Sequence, residues 1–254
     1  RPDGDKADLL AFLDTLGGRD QYSPGLIPPT AEPIAPGVLG GPHASASADE
    51  QAEFVAAQRA FDRDFGFEQG VGAPRFNGDS CRACHFEPII GGAGPRGVDV
   101  IRHGIRNASG AFVVPAVGTI LHRLTALRGN ALNRPQQAVN VFELRQTPPL
   151  FGLGLVEGIA EATIVAGADP DDVNSDGISG RASYTDGGRL GRFGWKAQVP
   201  SLAEFVRDAV TSELGMTLPY QTGLTFGAIH DVDDIPDPEM PLAVVVALTR
   251  YLQL

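Results

Sequence analysis

The sequence predicts a mainly α-helical protein with long loops and a small β-hairpin. Several stretches place apolar residues at helical spacing behind side chains that commonly cap helices. Glycine (32) and proline (20) together make up about a fifth of the 254 residues, a share that favours long loops without indicating disorder. One pair of β-type runs flanks a short turn sequence.

The first predicted helix covers residues 5–16, where Leu9, Phe12 and Leu16 share one face. Two glycines directly after it end the helix. From residue 19 to residue 45 the chain is rich in proline, glycine and small residues, a composition typical of a linker or a wrapping segment. The main domain is therefore expected to span residues 46–254.

The next predicted helix begins at a capping box formed by Ser47 and Glu50. It is expected to run to about residue 65. Its Phe54, Phe61 and Phe65 should face the core, because they recur at helical spacing.

The remaining predicted elements are one hairpin and two helices. Residues 98–106 and 111–114 flank the turn sequence Asn-Ala-Ser-Gly and should form the hairpin. A second capping box, which begins at Ser201, opens a predicted helix over residues 201–214. The last helix is predicted over residues 238–252, after an aspartate N-cap and with a proline at its first position.

The most specific feature of the sequence is a Cys-x-x-Cys-His motif formed by Cys81, Cys84 and His85. This is the attachment pattern of c-type haem, because one helical turn presents both sulfurs to the porphyrin edge and the next residue presents an imidazole to the iron. The alternatives are a thioredoxin-type redox pair, which starts a long helix, and a structural zinc site, which needs four ligands. Here proline and glycines follow at once, and there is no third cysteine. The motif favours one covalent haem c per chain in a cytochrome c-like domain.

The net charge of the chain indicates which classes of molecule it can bind. The net charge is −11 and the pI is about 4.8, which argues against binding to nucleic acid or to an anionic membrane and favours a basic redox partner. No apolar run approaches the ~18 residues that span a bilayer. Because haem c is attached outside the cytoplasmic membrane, we expect a periplasmic or otherwise exported protein, whose signal peptide is not in this chain.

Four blocks resemble the di-haem oxidoreductase family. They are residues 75–80, 147–157, 168–181 and 191–197, which read RFNGDS, TPPLFGLGLVE, ADPDDVNSDGISGR and GRFGWKA. This family is related to bacterial di-haem cytochrome c peroxidases and is sometimes labelled "thiol oxidoreductase". The resemblance covers the chain from about residue 46 onward. It implies haem cofactors and oxidoreductase chemistry, but no thiol is left over to support the thiol label.

The chain departs from the family pattern in one respect. Family members carry a second Cys-x-x-Cys-His motif downstream, and this sequence has none. Residues 1–18 resemble the tail helix of a preceding cytochrome-like domain. We therefore expect either the middle of a longer protein or a subunit whose second haem lies on a partner chain.

The haem iron needs axial ligands, and His85 is predicted as the proximal one. Three residues are alternatives for the sixth position. The resemblance supports His103, because related peroxidases take a distal histidine from a loop soon after the motif. His122, which is slightly preferred, lies among apolar neighbours, and Met216 follows a helix stop. A vacant or water-bound sixth position stays open.

Two residues of the last family block are predicted to lie near the haem. The resemblance to peroxidases that carry a tryptophan between their haems suggests an electron-relay role for Trp195, with a core aromatic as the alternative. Arg192 has a guanidinium suited to haem propionates.

Residues 172–177 repeat the start of an EF-hand-type calcium loop. Asp172, Asn174 and Asp176 occupy positions 1, 3 and 5, and the turn glycine follows. Position 12 is Ser183 instead of glutamate, so the closing bidentate ligand is missing. Bound calcium and an ordinary Asx-Gly turn are both consistent with the pattern.

Together these features predict a c-type cytochrome that transfers electrons through one covalent haem, within a larger multi-haem oxidoreductase or redox complex. The alternative is a di-haem peroxidase-like enzyme whose second haem lies on a missing segment or partner chain. Six-coordinate iron suits electron transfer, whereas an open iron site would suit peroxide chemistry.

Overall fold

A computed structural model describes residues 33–72, 75–116, 118–126, 138–227 and 233–254. The predicted helix over residues 5–16 and the first part of the predicted linker lie outside the described residues. Within the described part, the backbone amide of His43 donates to the carbonyl of Leu254 (2.8 Å). This bond ties the start of the described chain to its last residue.

The described residues contain five α-helices. They are α1 (Ala48–Asp62), α2 (Leu153–Glu157), α3 (Glu161–Ala166), α4 (Leu202–Ala209) and α5 (Leu242–Gln253). A π-helix over Val210–Leu214 continues α4, and short 3₁₀ turns cover Phe67–Gln69 and Arg96–Val98.

Six short strands occur in the same part of the chain. They are β1 (Arg75–Phe76), β2 (Val100–Arg106), β3 (Phe112–Val113), β4 (Ile120–Leu121), β5 (Leu124–Thr125) and β6 (Val141–Arg145). β1 and β5 form a two-stranded sheet. β2 is the hub of a four-stranded antiparallel sheet and pairs with β3, β4 and β6. The longest ladder joins β2 to β6, from Val100 opposite Arg145 to Gly104 opposite Val141.

The predicted mainly α-helical, cytochrome c-like fold class is wrong. Of the described residues, 28% are helical and 14% lie in strands or β-bridges, and the strands form two sheets. The predicted strand pair is present as β2 and β3, but it belongs to a larger sheet. Four of the six strands contain only two residues and are too short to show the two-residue alternation on which strand prediction depends. β6 also pairs with β2 across some forty residues of sequence, which no local pattern indicates.

Helix α1 forms because its first turn is capped as predicted. The hydroxyl of Ser47 accepts from the Glu50 amide (3.3 Å), and the Glu50 carboxylate accepts from the Ser47 amide (2.8 Å). Phe54 and Phe61 are buried on its inner face. The helix ends at Asp62, earlier than predicted, because the next residue is already extended.

Helix α4 and its π-helical continuation cover the predicted range to within one residue, whereas α5 begins later than predicted. The hydroxyl of Ser201 caps α4 by accepting from the Glu204 amide (3.3 Å), and Gly215 ends the π-helix in the left-handed conformation (φ 67°). Helix α5 begins at Leu242, after Pro241. The predicted N-cap, Asp237, instead bonds the Thr217 hydroxyl.

The core lies where α1, α4 and α5 meet. The ring of Tyr251 on α5 stacks on Phe54 (5.1 Å between centroids) and packs against Phe61 (4.5 Å). The largest apolar side chains that are fully buried in the core are Ile90, Leu202, Met216, Met240 and Leu248. None of the helices in the described part of the chain has both the length and the apolar character to cross a membrane.

Candidate functional site

The Cys-x-x-Cys-His motif forms one helical turn shortly after the end of β1. The amides of Cys84 and His85 both donate to the carbonyl of Cys81 (3.2 and 3.1 Å). Ser80 caps this turn, because its hydroxyl accepts from the Ala83 amide (3.3 Å). The motif therefore forms the single helical turn that its spacing predicts, which brings both sulfurs and the imidazole to one place.

The imidazole of His85 is held in one tautomer. Its Nδ1 lies 3.2 Å from the carbonyl oxygen of Gly92 and 3.0 Å from that of Pro148. A carbonyl oxygen only accepts, so Nδ1 carries the proton and Nε2 carries a free lone pair. No hydrogen bond reaches Nε2 from the described residues. Burial lowers the pKa of His85 to about 4, so the ring is neutral, as a metal ligand must be.

The surroundings of the two thiols disfavour the thiolate form. Burial raises the pKa of Cys81 to about 12. Burial also raises the pKa of Cys84, although the nearby Arg123 opposes this. Reactive redox pairs have depressed thiol pKa values, so a thioredoxin-type role finds no support. Zinc finds none either, because the described residues contain no group of three or more cysteine, histidine and acidic side chains placed to hold a metal ion.

Arg82, between the two cysteines, anchors the motif to the end of α1. Its side chain is 2% exposed and forms an ion pair with Asp62, which is 8% exposed. Its guanidinium also donates to the Asp62 carbonyl (3.1 and 3.2 Å) and to the Asp64 carboxylate (2.9 Å). The sequence analysis missed this residue, since the variable positions of the motif carry no signal of their own.

Asn77 and Arg123 hold the other side of the motif, and sequence reasoning missed both. The Asn77 side chain, which is 1% exposed, donates to the Glu213 carboxylate (2.5 Å) and accepts from the Arg123 amide (2.9 Å). The Arg123 guanidinium donates to the Asn77 carbonyl (3.0 Å) and to the sulfur of Cys84 (3.3 Å). Only Asn77 carried a signal, as part of the first family block.

The predicted sixth ligands His103 and His122 are both engaged through Nε2. In His103, Nε2 donates to the Gly118 carbonyl (3.0 Å), and in His122 it donates to the Ser212 carbonyl (2.9 Å). In each ring Nδ1 is buried without a hydrogen-bond partner among the described residues. Burial lowers the pKa of His122, so this ring is neutral near pH 7.

The other three predicted haem residues lie in different surroundings. Met216 is 1% exposed and belongs to the apolar core. Trp195 is 56% exposed, and the Arg145 guanidinium lies 5.5 Å from its ring centroid. The Arg192 guanidinium donates to backbone carbonyls at the end of α2, including that of Ile159 (2.5 Å). No hydrogen bond, ion pair or ring contact within the described residues joins these side chains to the motif, although Cys81 packs against the apolar core that contains Met216.

The predicted calcium loop closes on its own backbone. The Asp172 carboxylate accepts from the Gly177 amide (3.2 Å), Asn174 accepts from the Asp176 amide (2.9 Å), and Asp176 accepts from the Ile178 amide (2.8 Å). These bonds form an Asx-type turn. The calcium site stays a prediction.

Comparison with known proteins bears on the part of the chain that follows the motif. Residues 129–224 match the family model described as "di-haem oxidoreductase, putative peroxidase". The match includes the last three of the four resembling blocks. No curated protein and no solved structure matches the chain.

Proposed function

We propose that this chain, a member of the di-haem oxidoreductase family through residues 129–224, binds one haem covalently and transfers electrons within a larger multi-haem oxidoreductase or redox complex. Cys81 and Cys84 would form the thioethers, and His85 would be the proximal ligand. The observation that carries the proposal is the tautomer of His85. Its Nδ1–H donates to two backbone carbonyls, the arrangement that orients a ligating imidazole and leaves Nε2 for the metal.

The residues of this chain fit such a group in three further ways. Arg82 fixes the motif turn to α1 through a buried ion pair. Phe61 places its ring beside the His85 imidazole (6.3 Å between centroids), which restricts how that imidazole can rotate. The two sulfurs are protonated and uncharged at neutral pH, as the raised pKa values of Cys81 and Cys84 require. When bound, haem supplies a one-electron carrier if six-coordinate and a site for peroxide chemistry if one axial position is open.

A peroxidase-like enzyme is the second candidate, with its second haem on a segment or partner chain outside this sequence. One observation favours it. His103 and His122 already use Nε2, the usual haem-ligating atom, in bonds to backbone carbonyls, and Met216 is fully packed in the core. A sixth position without a protein ligand follows if these contacts persist when haem binds.

The proposal extends to location, partners and a second metal. Haem c attachment requires export, so the working site would be the periplasm or another exported compartment. A basic protein or a second haem domain would suit the net charge of −11.

Calcium at Asp172, Asn174 and Asp176 is a separate proposal, tested by titration with terbium as a luminescent calcium probe.

The test is to export the chain in a host that attaches haem c and to measure its mass and its alkaline pyridine spectrum. We expect the added mass of one haem and loss of that mass in the double variant C81A/C84A. His85→Ala should keep the mass but change the visible spectrum, while His43→Ala, which alters an exposed histidine, should not. A wild-type chain at its bare calculated mass would contradict the proposal.

The same sample separates the two candidate functions. A low-spin spectrum that cyanide and peroxide leave unchanged indicates electron transfer. A high-spin haem that binds cyanide indicates the peroxidase-like enzyme. Met216→Leu, His103→Gln and His122→Gln would then identify any side chain that fills the sixth position, because loss of that ligand changes the spin state.

A further inference from the structure

The guanidinium of Arg123 is held against the haem-attachment motif by contacts to two backbone carbonyls and one sulfur, and its backbone amide is bound as well. Arg123 lies between β4 and β5, where its own amide is bound by Asn77. One guanidinium nitrogen donates to the Gly97 carbonyl (2.9 Å). The other donates to the Asn77 carbonyl (3.0 Å) and to the sulfur of Cys84 (3.3 Å). These partners leave the charged group little freedom to move away from the sulfur.

The Arg123 guanidinium lies 3.3 Å from the Cys84 sulfur, so its positive charge acts directly at the atom that would join the porphyrin edge. The Glu213 carboxyl group lies nearby, where it accepts from the Asn77 side chain (2.5 Å), and burial raises its pKa.

We propose that Arg123 is a positioning residue that sets the reduction potential of the haem attached at Cys84. This inference rests on the proposed haem attachment. Reduction moves one electron from an external donor to the iron, from ferric to ferrous, and no bond or proton needs to move. A fixed positive charge beside the sulfur that joins the porphyrin edge stabilises the state with the extra electron. Arg123 therefore raises the potential.

The test is a potentiometric titration of the haem-loaded chain and of three variants. Arg123→Gln removes the charge, and Arg123→Lys keeps it while losing the forked donor geometry. Arg250→Gln is the matched control, because it removes one positive charge whose partners are Glu53 and Gln253 instead of the motif. Haem content is measured first by mass, so that a chain without haem contradicts the proposed attachment before any potential is read.

We expect Arg123→Gln to shift the ferric–ferrous equilibrium about tenfold toward ferric, which is about 59 mV for a one-electron couple. Arg123→Lys and Arg250→Gln should stay within about twofold of the wild type. A haem-loaded Arg123→Gln that titrates with the wild type would overturn the proposal, since the residue would then only support structure. If Arg123→Gln takes up no haem, the test depends on Arg123→Lys alone. A tenfold shift in that variant, which keeps the positive charge, would also overturn the proposal.

Discussion

At the scale of single residues, the buried polar side chains decide where the site forms. Arg82, Asn77 and Glu204 are each 1% exposed or less, and each is bound by several partners. A buried polar group without such partners would be strongly destabilising. The contacts of Arg82 and Asn77 therefore explain why the motif turn adopts one position against α1 and the sheet.

Loss of the ion pair between Arg82 and Asp62 should strongly destabilise the fold. Arg82→Met leaves the Asp62 carboxylate buried without its cation, and we expect a loss of about 3–5 kcal/mol in the free energy of unfolding. Denaturant unfolding measures it. The double variant Arg82→Met/Asp62→Asn should recover part of the loss, because the stranded charge is gone. Arg250→Met, which breaks an exposed ion pair with Glu53, should lower the free energy of unfolding far less. An equal loss of stability in Arg82→Met and Arg250→Met would contradict the role of burial.

Glu204 should make the stability of the protein depend on pH. Burial raises its pKa, but donors from Arg189 (2.6 and 2.8 Å) and Thr225 (2.9 Å) outweigh this and lower the pKa of Glu204 to about 2. Since the folded-state pKa lies below the usual 4.5, the carboxylate stabilises the fold above pH 4.5 and loses this effect as the pH falls toward 2.

Glu204→Gln tests that sign. The variant should be less stable than the wild type at pH 7 by roughly 1–3 kcal/mol, because charged hydrogen bonds are replaced by neutral ones. The difference should shrink between about pH 5 and pH 2, as followed by urea unfolding across that range. A difference that grows in acid would contradict the depressed pKa.

How much of the site could be predicted from the sequence depends on sequence separation. Cys81, Cys84 and His85 are one turn apart, so their spacing alone places them together, and the structure forms that turn. Arg123 lies 39 residues from the sulfur that it contacts, and Arg82 lies 20 residues from Asp62. No local pattern predicts such pairs, because they depend on how the elements pack.

At the scale of elements, the two helix starts capped by serine were predictable, whereas the only strands predicted were the β2–β3 pair. Ser47 and Ser201 cap helices exactly where their side chains can reach the third amide, which is a local property of the sequence. Strands depend on partners elsewhere, and four of the six contain two residues each. Helix ends were less predictable than helix starts, because α4 continues as a π-helix that no local signal indicates.

The cap of α1 can be tested directly. Ser47→Ala should lower the free energy of unfolding by about 1 kcal/mol, because the Glu50 amide loses its acceptor. Ser47→Asp should retain most of the stability, since aspartate caps equally well. Thermal and denaturant unfolding give both values. Ser45→Ala, just outside the helix, is the control; an equal effect there would show that the cap is not the cause.

At the scale of the whole molecule, the motif joins parts of the chain that are distant in sequence. Arg82 connects it to α1, His85 connects it to the loop before α2, and Arg123 connects it to the strands. A group linked covalently at this junction would hold all three together. The net charge of −11 would at the same time favour approach by a basic partner.

Attachment of haem should therefore stabilise the entire domain. We expect the haem-loaded chain to melt at a higher temperature than the double variant C81A/C84A, with loss of tertiary structure in a single transition. Calorimetry measures the melting temperature, and near-ultraviolet circular dichroism follows the loss of tertiary structure. C81S/C84S is a second haem-free control, because it separates loss of haem from loss of side-chain volume. Equal melting temperatures with and without haem would contradict this expectation.

The π-helix after α4 constrains the permitted length of that segment in homologous chains. Its last carbonyls all accept from the motif side of the molecule: Ser212 from His122, Glu213 from Asn77, and Leu214 from Gly72. Deleting or inserting one residue there would turn every following group by about 100° around the helix axis. All three acceptors would then point elsewhere, so insertions and deletions should be selected against in this one turn while the surface loops vary in length.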